Sequence, residues 1–321
     1  MKSLLCAALV QSVALAADPT LLSLVMPDAK VIAGARVDHA RNSPFGVYVL
    51  THLQLDDPDF LKFMTATGFD PRRNVREVLV ASNSLQYDPS HWLVLAKGAF
   101  NPERIEGVAQ ANGGMVTKHQ GINILSGTTG NSANGDLKPI QGAIAFLDSS
   151  TAVMGDVPGV EAAIDRRRAS TSTKLAVKVQ QVSTNYDFWF TTLAPLSEFA
   201  GAMPDPNLSN AMKGNLLGGI QQTSGGVKFG QNVQFYAEAV TRSPQDAAAL
   251  VDVVKFVAGL IQTNRQNDKT AAQVSTLLDA LQTTTQGNVM TMTLTIPEAT
   301  LEQMMSAMRQ DRSAPSKKSP K

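Results

Sequence analysis

The chain has 321 residues, with 28 basic and 27 acidic side chains, 43% hydrophobic residues and 17% charged ones. That is the make-up of a globular protein with few surface charges, long enough for two domains or one duplicated body. A net charge of +1 with no basic face argues against nucleic acid as a partner.

The chain opens as a secretory signal peptide. Lys2 supplies the positive start, Leu4 to Val10 and Val13 to Ala16 supply the apolar run, and Ala14-Leu15-Ala16 is a small-residue cleavage site. Cutting there removes residues 1–16 and leaves Ala17 first. A bilayer-spanning helix needs about 20 apolar residues, more than this run offers. The single cysteine, Cys6, lies in the removed segment, so the mature chain has no thiol for a disulfide, a nucleophile or a metal. The expected address is periplasmic or secreted.

Ala29 to Val37 predicts a buried strand. Ser43-Pro44 then starts a helix with Phe45, Val49 and Leu53 on one face, and Asp57-Pro58 starts another that Gly68 ends. Val75–Ala81 and Trp92–Ala96 predict a hairpin, Asn101-Pro102 a capped helix with Ile105 and Val108 inward, and Met115–Lys118 and Ile122–Leu125 short strands. The stretch 127–138, rich in Gly, Asn, Ser and Thr, predicts a loop. Ala143–Leu147 with Ala152–Met154 predicts a further hairpin, and Pro158–Arg167 a closing helix.

The second half repeats this order. Tyr186 to Phe190 alternates as a strand, and helical stretches follow at Pro195-Leu196 and Leu208–Leu217. A hairpin comes next, with Gly219–Thr223 and Val227–Phe229 in one arm and Val233–Val240 in the other. Ser243-Pro244, with Asp246 at the third position, caps a long helix with Leu250, Val254, Val257 and Ile261 as its buried stripe. Val274, Leu277 and Leu281 predict a helix, Val289–Ile296 a strand, and Pro297 a last helix carrying Leu301, Met304, Met305 and Met308. The expectation is an α+β protein of two similar halves, 17–173 and 174–308, with a disordered basic tail at 309–321. Each half would be an antiparallel sheet with helices on one face, a split β-α-β or ferredoxin-like unit arising by internal duplication, with two unrelated α+β domains as the alternative.

Tests for chemistry return little. No string matches the phosphate loop or the dinucleotide fingerprint, and Gly127, Gly130 and Gly135 sit in a polar loop with no strong helix after it. Ser132 lies one residue out of register for a nucleophile elbow, and no lysine follows a serine by three positions. His39, His52, His91 and His119 form no pair at helical spacing for a metal. Asp56, Asp57 and Asp59 lack the calcium-loop pattern and suit helix capping. Arg166–Arg168 suits a helix C-terminus, and Trp92 and Trp189 suit the core. No cofactor and no metal are expected.

Four stretches carry a resemblance: Leu24–Asp38, Ser43–Gly46, Gly68–Ser82 and Gly98–Ala109. Together they resemble a group of uncharacterised exported proteins from soil-type bacteria. The resemblance implies a duplicated α+β body and no activity, so it assigns no functional residue. The leading expectation is a non-catalytic envelope protein that binds a protein partner or an apolar small molecule. A second is a hydrolase assembled from distant residues, Ser132 or Asp57 with His119. A third is a surface protein tethered by its basic tail.

Overall fold

The structure, a computed structural model, describes residues 16–51, 58–84, 91–129, 138–169, 172–193, 217–264, 275 and 277–313. The expectations placed on residues 1–15, on His52, Asp56, Asp57 and Ser132, on the core of the 127–138 loop, on Pro195-Leu196 and on nearly all of Leu208–Leu217 fall outside these residues.

The first half begins with helix α1 (Pro19–Leu24), where the Asp18 carboxylate accepts the N–H groups of Thr20 and Leu21. Strand β1 (Val31–Arg36) follows, then α2 (Val37–Ala40), α3 (Pro44–Thr51), α4 (Pro58–Thr67) and α5 (Pro71–Asn74). Gly68 stops α4 with φ of +72°, a left-handed conformation that glycine takes without a Cβ penalty. Strands β2 (Val75–Ser82) and β3 (Trp92–Gly98) form the expected antiparallel pair. In α6 (Pro102–Ala111), Asn101 Oδ1 accepts the Arg104 N–H at 3.1 Å and proline occupies the first turn. Strands β4 (Met115–His119), β5 (Ile122–Thr129), β6 (Lys138–Asp148) and β7 (Thr151–Gly155) come next, then α7 (Val157–Arg166), capped by Asp156.

The second half contains α8 (Ala176–Asn185), β8 (Phe188–Thr192), β9 (Ile220–Lys228), β10 (Asn232–Thr241) and α9 (Pro244–Asn264), followed by β11 (Leu281–Gln286), β12 (Val289–Pro297) and α10 (Glu298–Ser313). Ser243 caps α9 as expected, its Oγ accepting the Asp246 N–H at 3.1 Å. The buried stripe of α9 is Ala247, Leu250 and Val251, with Val254 partly buried; Val257, expected inside, is exposed. Leu281, expected on a helix, starts β11, where the run Thr283–Thr285 favours extended backbone. Helix α10 runs to Ser313, into the segment expected to be a disordered tail; Arg309, Gln310 and Arg312 are good helix formers.

All twelve strands form one sheet, in the order β11-β12-β10-β9-β8-β1-β2-β3-β7-β6-β5-β4. Every ladder among the described residues is antiparallel, and most strands adjacent in sequence pair directly as meanders and hairpins. The halves meet where β1 pairs with β8, with Val31 opposite Thr192 and Ala35 opposite Phe188. The protein is therefore α+β, built on one continuous antiparallel sheet.

Helices lie on both faces, not on one. Both faces of the strands carry apolar residues, so each must be covered. On the first face, α1, α7 and α8 bury Leu21, Leu24, Val160, Ile164 and Val179 against Ile32, Leu79, Leu93, Leu95, Val153 and Trp189. On the second, α6 sets Ile105 against Leu125, Phe146 and Ala152. There α9 covers Ile220, Ala239 and Met290, while α3 and α10 set Phe45 and Leu301 against Val233 and Ile296.

Trp189 fits this core because its register partner is Gly34. A Cβ on Gly34 would lie 2.4 Å from the indole Cζ2. Overpacking of this kind costs about 1–3 kcal/mol, so Gly34→Ala is expected to lower the urea midpoint by that much stability. A Cβ on Gly107, inside α6, would point into open space, with no packed neighbour within 4 Å. Gly107→Ala should instead raise stability by roughly 0.5–1 kcal/mol in the same titration.

Candidate functional site: an apolar groove on the second face of the sheet

Alternation along β8 sends Trp189 to the first face and Phe188 and Phe190 to the second. The strand register carries these two rings into two apolar rows. One row runs Leu281, Leu294, Phe235, Val227, Phe188, Ala35, Val78, Ala96, one residue from each of eight adjacent strands. The next runs Met292, Ala237, Gly225, Phe190, Ala33, Val80, Val94, Met154. Gly225 admits the Phe190 ring, since a Cβ there would meet its Cε1 at 2.5 Å.

In the second half the rows form the floor of a groove of about 340 Å³. It is open to solvent and lined by Phe188, Phe190, Val227, Phe235, Met292 and Leu294 among others. The contacts of α9 lie towards Ala239 and Met290, and those of α3 and α10 towards Val233 and Ile296, so the groove occupies the interval between them. Phe188 is 46% exposed, Phe190 37% and Met154 48%. Large apolar side chains left open in one contiguous stretch mark an interaction surface more than scattered ones do. The groove offers no titratable side chain except Tyr236, which projects to the opposite face, stacks on Tyr186 at 5.1 Å and donates to Glu238 at 2.7 Å. Burial and the Glu238 carboxylate push the Tyr236 hydroxyl pKa upward, so it stays protonated. The chemistry available is apolar contact and shape.

The histidines do not build a catalytic centre among the described residues. His119 ends β4 and meets α7, with Nε2 2.7 Å from the Asp165 carboxylate and Nδ1 4.0 Å from Glu161. Its proposed partners Ser132 and Asp57 fall outside the described residues. A closer approach to a hydrolytic arrangement comes from residues far apart in the chain that no motif connects. His39 Nδ1 lies 3.1 Å from Asp187 Oδ1, in a cleft that also contains Ser43 and Glu298. His39, Ser43 and Asp187 are each engaged structurally, while Glu298 Oε1 is buried with no hydrogen-bond partner among the described residues. Arg36 bonds the other His39 nitrogen, Ser43 Oγ accepts the Gly46 N–H at 2.9 Å as the cap of α3, and Asp187 Oδ2 accepts the Phe229 N–H at 2.8 Å. The cluster ties the turn after β1 to the start of β8 and the end of β9. Asp70 caps α5, and the Arg72 guanidinium holds its carboxyl pKa below the usual range. His91 bonds Asn83 at 2.9 Å.

No group of three or more metal-ligating side chains occurs among the described residues, and no described helix is long and apolar enough to cross a membrane. No family model matches the chain, and no curated protein does. Among solved structures, crystal form I of TP0453 is similar over 92% of this chain and 99% of that one, with a TM-score of 0.50 and 11% identity. At that identity the likeness is one of fold.

Asp187 is expected to be structural. Asp187→Ala strands the Phe229 N–H and should lower unfolding free energy by about 1–3 kcal/mol, read by urea titration. A much smaller loss would remove its role as the tie between these turns.

Proposed function

We propose that the protein is an exported, non-catalytic binding protein of the bacterial cell envelope that holds an apolar ligand, such as an acyl chain, in the groove beside Phe188 and Phe190. The observation that carries this reading is the pair of aligned apolar rows, open to solvent where the groove lies. Transfer of apolar surface from water gives about 25 cal/mol per Å², so an elongated hydrocarbon gains along its whole length. A floor of strands also suits such a ligand, since it presents one side chain every second residue in a straight track. Ligand sites of this kind are concave, mostly apolar and pre-formed.

The export reading rests on the leader pattern of residues 1–16. Two halves related by duplication fit the same picture. In the first, β1-β2-β3 is followed by α6 and by β6-β7, with β7 beside β3; in the second, β8-β9-β10 is followed by α9 and by β11-β12, with β12 beside β10. The hairpin β4-β5 is then an addition at one edge.

The test is binding of a fluorescent acyl-chain probe to the purified protein. Phe188→Ser with Phe190→Ser is expected to weaken binding tenfold or more, each tenfold being about 1.4 kcal/mol. Ala237→Trp should do the same by filling the floor. Unchanged affinity in both variants would overturn the groove as the site.

A further inference from the structure

The backbone at Ala17 and Asp18 is tied into the protein. Ala17 is 2% exposed and belongs to the main core with Leu21 and Leu24. Its backbone nitrogen donates to Ser183 Oγ of α8 at 2.9 Å, in a buried position. The next nitrogen, that of Asp18, donates to both carboxylate oxygens of Glu77 on β2, at 3.1 and 3.3 Å. A peptidase acts on exposed, extended backbone, so this seat belongs to the chain after cleavage.

Glu77 is short of a cation. Its register partners are Arg36 on β1 and Lys97 on β3, but Arg36 bonds His39 and Lys97 Nζ donates to Thr151 Oγ1 at 2.9 Å. The carboxylates of Asp18 and Asp38 add negative charge nearby, and Arg36 only partly offsets it. Burial, with these charges, pushes the Glu77 carboxyl up to about 7. Three backbone bonds of roughly 1.3–1.5 Å separate the Ala17 and Asp18 nitrogens, which therefore lie within about 4 Å of each other.

We propose that cleavage after Ala16 supplies the missing cation: the new α-ammonium of Ala17, held by Ser183, pairs with Glu77 and docks the mature N-terminus onto the sheet. The cleavage is hydrolysis by a leader peptidase. Water adds across the Ala16–Ala17 amide, the C–N bond breaks, Ala16 leaves as a carboxylate, and the freed amine takes a proton. The inference rests on the export reading for the cut itself and is independent of what the groove binds. An uncleaved amide at Ala17 carries no charge. The folded carboxyl then holds its proton more tightly than the unfolded one, and stability falls as pH rises from about 4.5 to about 7. The ammonium reverses this by lowering the folded carboxyl pKa, and its own benefit is lost once pH rises through the folded amine pKa.

The experiment compares a chain that starts at Ala17 with a free amino group and the same chain acetylated there, each with and without Glu77→Gln. The expected result is a Tm several degrees higher for the free form at neutral pH, an advantage that shrinks on acidification and vanishes in Glu77→Gln. Equal Tm values overturn the pairing, as does an advantage that survives Glu77→Gln. N-terminal sequencing of the exported protein is the second arm. A first residue other than Ala17 removes the cleavage on which the inference rests, and the Tm comparison distinguishes that failure from failure of the ion pair.

Discussion

The ladder between β1 and β8 is the contact on which the rest depends. It joins a seven-stranded and a five-stranded sheet into one, and it aligns both faces at once. On the first face it seats Trp189 over Gly34, so the core of the first half closes around a ring from the second. On the second face it sets Phe188 beside Ala35 and Phe190 beside Ala33, which makes the apolar rows continuous across the join. A slip of one residue would exchange the faces of every side chain on β8. The indole would then point to solvent and both phenyl rings into a core with no room for them.

Much of the fold is legible in the sequence. Asn101-Pro102 and Ser243-Pro244 mark helix starts because a cap and a proline act locally. Val289–Pro297 declares itself by alternation, and Val75–Ser82 by its short apolar run Val78–Ala81. Leu281 was not legible, since an apolar residue at spacing four from Leu277 suits a helix until the threonines after it pair with β12. The covering of both faces was not legible either. It depends on which neighbouring strands share a sheet, and local periodicity carries no information on that.

The groove is hidden from the sequence for the same reason. Phe188 and Phe190 stand out as an alternating pair, but Val227, Phe235, Met292 and Leu294 join them only through register between strands far apart in the chain. The cluster of His39, Asp187 and Ser43 shows the converse. Residue types that suggest a hydrolase meet in space, yet each is already engaged in closing a turn or capping a helix. Polar side chains here mostly complete the backbone, and the open apolar surface is what remains for recognition.

The position of β1 also bears on biogenesis. Until residues 188–192 arrive, β1 is an outer strand with one row of amide and carbonyl groups unpaired and valine and isoleucine along it. Such a rim is a template for joining another polypeptide. Its natural cover comes from about half a chain length later, a closure that proteins with distant pairings make slowly. A chain still emerging from synthesis would expose this rim before its cover arrives, so residues 31–36 are the segment most in need of shielding until β8 pairs with them.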